Sequence, residues 1–581
     1  MQDLLEIDAC RSGRTVSLPE ALGRVRTPLQ WRQWDQALAR HPDQRFRVYI
    51  VEGIKKGFRI GFDGGRGAIV AVVPQNMPSV NENPEVVDTY LAEECCQGRV
   101  GGPLDPAMLS GVHVSRFGVI PKSTPGKWRL IVDLSFPRGH SVNDGVREAT
   151  STLSYVGVWD AAREIVRLGR GTQLAKVDIK SAYRNVPVHP DDRWLLGMGW
   201  RGALFIDSAL PFGLRSAPKI FTAIADAAEW IARTRGVRQS LHYLDDFLIF
   251  GRPGSDECRQ ARDTLLQVFE ELGIPVAQEK LEGPECKLTF LGFELDTVAM
   301  EIRLPQSKLR ELTQLVGRWR TKRTCRQKDL ESLVGKLAHA AQVVQSGKTF
   351  LRRMFELVAR KGRSNIWCRL NNGFRSDIMW WATFLEAWNG VSMMRGQVGV
   401  NGGSIWTDAS GGFGCGAWKP DSQEWLQLEW AQLGERRQAV RVGQESICLK
   451  ELLPIVLACG VWGPQWRGKE IVAHCDNTAA VAVVNSGYSR VEPIMHLLRS
   501  LFFIRAYFQL TVRAVHTPGR VNTMADAISR NNLPLLFSQV PGAQQRRVEV
   551  SPGLVSLLVH QQADWMSQHW TQRFKSCFQQ A

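Results

Sequence analysis

The chain has 581 residues, 44 % of them hydrophobic, which is enough apolar material for several folded domains. Its 73 basic residues outnumber 57 acidic ones, and the formal charge of +16 favours a polyanionic partner. The twelve cysteines lack paired zinc spacing, and neither a signal-peptide core nor a run of about 18 apolar residues is found. These features exclude a disulfide-framed secreted protein and predict an intracellular one, cytoplasmic or nuclear, with no membrane partner.

Residues 1–90 are predicted to form an N-terminal helical extension followed by a linker. Trp31, Trp34 and Leu38 recur at helical spacing, which is more typical of a helix facing a core than of a binding site. The stretch VPQNMPSVNENPEV, residues 73–86, is rich in Pro and Asn and is interpreted as the linker.

A hairpin with a basic tip is predicted within residues 112–145. Two apolar strands flank a turn that contains Lys, Pro and Gly. Lys122 and Arg129 lie on either side of this turn, and cations at such a tip can bind a nucleotide triphosphate. A solvated basic loop is the alternative interpretation.

The stretch LHYLDDFLIF, residues 241–250, places two adjacent carboxylates, Asp245 and Asp246, between apolar runs. It predicts a strand, a tight turn with both acids and a returning strand. Neighbouring carboxylates between buried strands repel one another and lose hydration, so a bound cation such as Mg²⁺ would compensate them. An isolated Asp-Asp pair is more often a solvated turn, but Asp178 ends another apolar strand within 174–183 and favours the metal site.

Between these aspartates, LPFGLRSAPKIFT, residues 210–222, predicts a turn that leads into a helix. Gly213 allows a close backbone approach, and Pro218 marks the start of the helix. Upstream of this motif, Asp191 and Asp192 are interpreted as part of a solvated turn.

The order of these motifs resembles that of a reverse transcriptase, and YLDD at 243–246 is similar to the catalytic box of that family. The resemblance implies an α+β fold, a right-hand polymerase with fingers, palm and thumb. Residues 91–300 then correspond to fingers and palm, and 301–400 to a basic helical thumb and connection. Between 301 and 370, 17 basic residues face five acidic ones, as expected of helices that follow the phosphates of a template–primer duplex.

The same resemblance implies a role for each motif residue. Two Mg²⁺ ions, for which Mn²⁺ could substitute, would be bound by Asp178, Asp245, Asp246 and the main-chain carbonyl of Ile179. An aromatic ring at Tyr183 would act as a sugar gate that favours deoxynucleotides. The triphosphate and the nascent base pair would contact Lys122, Arg129, Phe212 and Gly213.

Residues 401–535 carry a second set of acids, at the ends of predicted strands or on predicted helices. In the order D–E–D–D they are Asp408, Glu451, Asp476 and Asp526. A lone glutamate on a helix is usually solvated, but the four together resemble ribonuclease H, an α/β domain with a mixed central sheet. The resemblance implies two-metal cleavage of the RNA strand of an RNA–DNA hybrid. His516 precedes a Pro-Gly turn and is a candidate nuclease auxiliary, with ordinary packing as the alternative.

Over about 91–535 the chain resembles the fused reverse transcriptase–ribonuclease H of LTR-type retroelements. The segments HPDQRF…GIKKGFRIGF (41–62) and DWMSQHW (564–570), the second within a C-terminal tail at 536–581, are similar to DIRS-type elements. The resemblance implies an RNA template, a DNA primer, RNA–DNA hybrid and deoxynucleoside triphosphates as partners, with a separately encoded tyrosine recombinase. The alternative is a catalytically inactive or domesticated copy that binds nucleic acid through its basic thumb.

Overall fold

The computed structural model describes most of the chain, in two compact units. The described residues are 26–64, 74–105, 107, 111–121, 126–147, 153, 155–359, 367–388, 390–394, 401–437, 446–487, 489 and 491–560. The first unit comprises Met1–Glu164 and Gly171–Leu288, and the second comprises Ile165–Arg170 and Thr289–Ala581. Lys122 and the segment 564–570 lie outside the described residues. The predicted domain boundaries stay predictions.

The first unit combines helices with small antiparallel sheets. Its helices are α1 (Trp31–Ala37), α2 (Gln44–Lys56), α3 (Pro78–Glu82), α4 (Pro84–Cys96), α5 (Val158–Leu168, which ends in the second unit), α6 (Pro190–Arg193), α7 (Ala217–Thr234) and α8 (Glu257–Leu272). Its strands are β1 (Val100–Leu104), β2 (Phe117–Pro121), β3 (Trp128–Val132), β4 (Gln173–Asp178), β5 (Gly197–Trp200), β6 (Ala203–Asp207), β7 (Ser240–Tyr243), β8 (Asp246–Gly251) and β9 (Glu282–Glu285). The sheet orders are β1-β6-β5, β2-β3 and β7-β8-β4-β9.

The β7-β8-β4-β9 sheet forms the core of this unit. β8 lies between β7 and β4, and every neighbouring pair is antiparallel. The apolar residues that follow the two adjacent aspartates, among them Phe247 and Ile249, are fully buried. They belong to one apolar cluster with residues of α7 and α8. The predicted hairpin and both flanking strands are therefore confirmed, but the turn carries only Asp245, because Asp246 is already the first residue of β8.

The N-terminal helices complete that same core. Trp34 and Leu38 are fully buried in the cluster, as the helical spacing predicted. The indole Nε1 of Trp34 donates a hydrogen bond to the carbonyl of Leu272, at the end of α8, at 3.0 Å. The described part of the N-terminal segment is thus integral to the first unit.

The interpretation of residues 73–86 as a linker is wrong for residues 74–86, and residue 73 lies outside the described part of the chain. Pro78 and Pro84 each occupy the first turn of a helix, α3 and α4, where a missing N–H costs nothing. Asn76 ties the stretch to β2, since its side-chain oxygen accepts a hydrogen bond from the Phe117 amide at 3.0 Å. Proline therefore marks helix starts here.

The interpretation of Asp192 as part of a solvated turn is also wrong. Its buried carboxylate accepts hydrogen bonds from Arg59 Nε and Nη2, at 2.9 and 2.8 Å, and from the Ile60 amide at 2.9 Å. The neighbouring Asp191 is exposed, with 68 % of its side chain accessible. One acid of the pair anchors the segment after α2, and the other faces solvent.

The second unit also mixes helices and strands. Its helices are α9 (Gln306–Trp319), α10 (Gln327–Ala340), α11 (Arg352–Ala359), α12 (Asn372–Ala387), α13 (Ser446–Trp462), α14 (Thr478–Ser486), α15 (Glu492–Phe508), α16 (Thr523–Ser529), α17 (Leu533–Gln539) and α18 (Pro552–Val555). Its strands are β10 (Lys287–Phe290), β11 (Phe293–Asp296), β12 (Glu301–Arg303), β13 (Thr324–Arg326), β14 (Trp367–Arg369), β15 (Val391–Met393), β16 (Asn401–Ala409), β17 (Gly414–Lys419), β18 (Glu424–Glu429), β19 (Glu470–Cys475) and β20 (Thr511–His516). The sheet orders are β10-β11-β12-β15, β13-β14 and β18-β17-β16-β19-β20.

The five-stranded sheet is mixed, as predicted. β18, β17 and β16 pair antiparallel, whereas β16, β19 and β20 pair parallel. Short turns join the antiparallel neighbours, with Gly411 and Gly412 between β16 and β17 and Pro420 at the start of the turn between β17 and β18. The parallel strands are joined through connections that contain helices. The α+β class predicted for the whole chain, with this α/β sheet near its C-terminal end, is confirmed.

One helical stretch, Ile447–Trp466, is long and apolar enough to cross a membrane, which contradicts the expectation that no such run exists. Within the unit, 72 % of it is buried. Its main helix, α13, packs against β16, β17 and α15. A helix that is apolar on all sides is expected in this central position of a folded domain.

We expect Asp192→Ala to lower the free energy of unfolding by about 1–3 kcal/mol, because it leaves the buried Ile60 amide without an acceptor. Urea titration would measure this loss. The control, Asp191→Ala, removes an exposed carboxylate and should change stability by less than about 0.5 kcal/mol. Equal losses in the two variants would contradict the anchoring role of Asp192.

Candidate active sites

The structure brings the three aspartates of the first unit together. Asp178 is the last residue of β4 and lies opposite Asp246, the first residue of β8. Asp245 occupies the turn between β7 and β8, and its carbonyl accepts a hydrogen bond from the Ile179 amide at 3.0 Å. The backbone thus holds all three acids at one end of the sheet.

The turn of this hairpin contains a residue with unusual backbone geometry. Tyr243 and Asp246 are paired across the strands, so Leu244 and Asp245 form a two-residue turn. Leu244 has a φ of +54°, in the left-handed region that two-residue hairpin turns require. A leucine in this conformation carries local strain, and such strain is typical of functional sites.

Two lysines balance the charge of the aspartates. Lys280 Nζ lies 2.9 and 3.1 Å from the two carboxylate oxygens of Asp178, and Lys176 Nζ lies 3.5 Å from Asp246 Oδ1. Burial raises the pKa of Asp246 to about 6 and also raises the pKa of Asp245, against the lowering effect of the lysines. The surroundings of Asp245 and Asp246 therefore disfavour their negative charge, and the two lysines do not fully compensate it.

The donor set fits a hard divalent cation. Within the described part of the chain, no hydrogen bond reaches the buried Oδ1 atom of Asp246, although Lys176 is nearby. Asp178 is 5 % exposed and has only a lysine as its side-chain ion-pair partner among the described residues. Carboxylate oxygens are ligands that Mg²⁺ prefers, and Asp178 and Asp246 bring theirs to one end of the sheet.

Next to the aspartates, the structure groups four of the five residues predicted to bind the nucleotide. The rings of Tyr183 and Phe212 lie 5.3 Å apart, and the guanidinium of Arg129 lies 5.8 Å from the Phe212 ring. Gly213 has a φ of +95°, and a Cβ atom there would approach the carbonyl oxygen of Val132 to 3.0 Å. The fifth residue, Lys122, lies outside the described part of the chain.

The four predicted acids of the second unit also converge. Asp408 lies near the end of β16, and Glu451 lies on α13. Asp476 directly follows β19, where the next residue, Asn477, caps α14 by accepting a hydrogen bond from the Ala480 amide. Asp526 lies on α16, which packs against β16 and β17.

The negative charges of this cluster affect the pKa of two of its acids, Glu451 and Asp408. Burial raises the pKa of Glu451 to about 8, and the charges of Asp408 and Asp476 add to this effect. Burial likewise raises the pKa of Asp408, with further contributions from Asp476 and Asp526. A site with four mutually repelling carboxylates also suits divalent cations.

Several neighbours of these acids were not predicted from the sequence. Ser529 donates a hydrogen bond to Asp408, and Arg530 Nε donates one to Asp526 at 2.6 Å. The thiol of Cys475 lies 3.8 Å from Glu451, and these two residues with Asp476 form a group that could hold a metal ion. In the first unit, the contact of Lys280 with Asp178 was also not predicted. The sequence offered no signal for the contacts of Lys280 and Ser529, because each joins residues about a hundred positions apart. Arg530 follows Asp526 at the i,i+4 spacing of a helical ion pair, which was the one available signal.

His516, the predicted nuclease auxiliary, is the last residue of β20 and is exposed. In the parallel register it lies opposite Cys475, one residue before Asp476. The position is compatible with a role at the cluster, and its exposure argues against a packing role.

Comparison with known proteins agrees with this geometry. Residues 120–295 match the family model described as "Reverse transcriptase (RNA-dependent DNA polymerase)". The Pro-Pol polyprotein of simian foamy virus type 1 is 23 % identical over 267 residues, 42 % of this chain and 21 % of that protein. The retrovirus-related Pol polyprotein from transposon gypsy of Drosophila melanogaster is 30 % identical over 129 residues, 22 % of this chain and 12 % of that protein.

A solved structure of a foamy viral protease-reverse transcriptase dRH in complex with ds DNA aligns with 84 % of this chain and 82 % of its own, at 13 % identity and a TM-score of 0.46. The chain spans about a fifth or less of the length of the two curated relatives. Residues 120–295 are a reverse transcriptase domain, and the chain is a homologue of retroviral and LTR-type Pol polyproteins.

We expect Glu451→Gln to stabilise the metal-free protein at alkaline pH. The folded-state pKa of about 8 lies above that of an unfolded glutamate, so the folded chain loses stability as pH rises between these values. The variant, which has no carboxyl group, avoids this loss and should gain roughly 2–4 kcal/mol at pH 9 and almost nothing at pH 4.

Urea titrations in EDTA at pH 4, 6.5 and 9 would measure the difference between variant and parent. The control is Glu549→Gln, at a side chain that is 83 % exposed, for which the difference should be flat with pH. A gain for Glu451→Gln that is also independent of pH would contradict the raised pKa.

Proposed function

We propose that this chain is the RNA-directed DNA polymerase of a retroelement, with a linked ribonuclease H that degrades the RNA strand of RNA–DNA hybrids. The observation that carries the proposal is the pairing of Asp178 with Asp246 across β4 and β8, with Asp245 in the adjoining turn. It supports a polymerase because it concentrates three carboxylates within a domain that matches reverse transcriptases.

In the polymerase site, Asp178, Asp245 and Asp246 would hold two Mg²⁺ ions, with the carbonyl of Ile179 as a further ligand. When bound, such ions activate the primer 3′-hydroxyl and neutralise charge on the triphosphate and the leaving pyrophosphate. The chain itself contributes orientation, because the sheet register fixes the carboxylates before substrate arrives. Lys280 and Lys176 form ion pairs with Asp178 and Asp246 and help to hold these two carboxylates in place.

Nucleotide selection would fall to the pocket beside the aspartates. The ring of Tyr183, packed between Phe212 and Phe221, would occupy the space that a ribose 2′-hydroxyl needs. Arg129 carries a positive charge on β3 that can pair with the triphosphate. Lys122, which lies outside the described residues, is proposed to do the same. Gly213 lets the backbone approach β3 closely at this point.

In the nuclease site, Asp408, Glu451, Asp476 and Asp526 would hold the Mg²⁺ ions that activate water and stabilise the leaving oxygen. Ser529 and Arg530 orient two of these acids through hydrogen bonds. The exposed imidazole of His516 could supply or accept a proton at the cluster edge. Selectivity for RNA would come from the 2′-hydroxyls and A-like shape of the hybrid.

The retroelement class that we propose is DIRS-type, with an intracellular site of action and a separately encoded tyrosine recombinase as partner. The supporting segment is HPDQRF…GIKKGFRIGF, whose Asp43 caps α2 by accepting hydrogen bonds from two backbone amides. Recovery of a tyrosine recombinase reading frame beside this one in the source genome would test the assignment, and an integrase frame in its place would overturn it.

The polymerase proposal predicts that Asp245→Asn abolishes DNA synthesis and leaves binding to duplex largely intact. The substitution removes a metal-binding charge and keeps the size of the side chain. The measurement is deoxynucleotide incorporation on poly(rA) primed with oligo(dT) in Mg²⁺, beside an electrophoretic binding assay. The control is Asp256→Asn, at an aspartate that is 72 % exposed. Synthesis by the Asp245→Asn variant would refute the metal assignment, and silence in the parent with tight binding would favour an inactive relic.

The nuclease proposal predicts that Asp408→Asn removes RNA cleavage and spares DNA synthesis, because the two carboxylate clusters are built from separate sheets. Release of fragments from a labelled RNA–DNA hybrid measures the first activity. Asp421→Asn, at an exposed acid of the same domain, is the control. Loss of both activities in Asp408→Asn would contradict two separable sites.

A further inference from the structure

The backbone between Asp178 and Tyr183, the predicted sugar gate, includes two residues in an unfavourable conformation. Ser181 and Ala182 have φ values of 62° and 26°, in the left-handed region that residues other than glycine rarely adopt. Tyr183 follows directly, in a short 3₁₀ helix over Ala182–Asn185. Such a conformation persists only where surrounding contacts enforce it.

One of these contacts is made by the side chain of Arg184, next to Tyr183. Its Nη1 atom donates hydrogen bonds to the carbonyls of Ala209 and Leu210, at 3.2 and 3.4 Å. Leu210 lies two residues before Phe212, whose ring contacts that of Tyr183. A single guanidinium therefore connects the two segments that carry the two aromatic rings of the pocket.

Arg184 is itself fixed by a buried charge network. Its Nη2 atom lies 2.6 Å from Glu94 Oε2 on α4 and 2.7 Å from Asp207 Oδ1 at the end of β6. All three side chains are at most 7 % exposed. Glu94 is also paired with Arg99, and the Ser208 amide donates to the Arg99 carbonyl at 2.8 Å. The network reaches α4 and β6, well beyond the pocket itself.

We propose that Arg184 is a positioning residue for sugar selection, which sets the spacing of the Tyr183 and Phe212 rings through Glu94 and Asp207. This inference rests on the proposed polymerase function and on the role of Tyr183 as the gate. A gate of this kind discriminates by excluding one oxygen atom, so a shift of about 1 Å in either ring would open it.

The fork shape of arginine is essential to this role. Its planar group can serve two carboxylates and two carbonyls at once, whereas a lysine presents a single flexible ammonium. Arg184→Lys keeps the buried positive charge and gives up the hydrogen bonds to Ala209 and Leu210. A backbone hydrogen bond from the Leu210 amide to the Val186 carbonyl, at 2.9 Å, does not depend on the side chain and should keep the variant folded.

The test is a measurement of kcat/KM for a deoxynucleotide and for the matching ribonucleotide on one template–primer. We expect Arg184→Lys to lower the ratio of the deoxynucleotide kcat/KM to the ribonucleotide kcat/KM by about tenfold or more, mainly through a change in the KM values. Arg193→Lys is the matched control, since Arg193 is also fully buried but bonds to the Val188 carbonyl, away from the two rings. Arg193→Lys should lower the free energy of unfolding and change the ratio of the two kcat/KM values by less than about twofold.

Tyr183→Ala separates the possible failures. If the parent chain does not synthesise DNA, the polymerase proposal fails. If synthesis occurs but Tyr183→Ala does not admit ribonucleotides, the gate fails and the role of Arg184 with it. If Tyr183→Ala relaxes selection and Arg184→Lys does not, the positioning role alone is overturned. Should Arg184→Lys not fold, Asp207→Asn, which keeps the side-chain shape, must show the same loss of selection, and an unchanged ratio would overturn the inference.

Discussion

The repulsion among buried carboxylates is the constraint on which both candidate sites depend. Each unit places several acids where water is scarce, and burial raises the pKa of Asp246 and of Glu451 well above the ordinary range. Such an arrangement is costly unless positive charge or hydrogen-bond donors are supplied from the surrounding fold. In the first unit Lys176 and Lys280 supply the charge, and in the second unit Ser529 supplies a donor.

The two units meet this constraint with the same structural device. In each, an acid lies at the end of a central strand, and a neighbouring strand brings a second acid to the same edge. The first unit uses antiparallel strands, β4 and β8, joined in register by their backbones. The second uses the parallel pair β16 and β19, with acids from α13 and α16 completing the cluster. Sheet register thus determines which carboxylates lie close together. In the second unit, two helices contribute the remaining acids of the cluster.

The sequence predicted those parts of the molecule that repeat a simple pattern. The apolar runs on either side of Asp245 and Asp246 are typical of buried strands, and Trp34 and Leu38 recur at helical spacing, so both features were located correctly. Lys280 could not be predicted, since its contact with Asp178 spans about a hundred residues of chain. The burial of Asp192 was missed because an acid pair in a polar turn looks the same whether or not an arginine such as Arg59 lies opposite.

The contact between α1 and α8 has a practical consequence for the design of shorter fragments of this chain. The stretch that matches the reverse transcriptase family begins at residue 120, long after Trp34. A recombinant fragment trimmed to the family boundaries would therefore lose a fully buried indole and expose the apolar surface that it covers, including the end of α8 at Leu272. A fragment that keeps the core of the first unit intact has to retain the chain from α1 onward, even though α1 contains none of the candidate site residues.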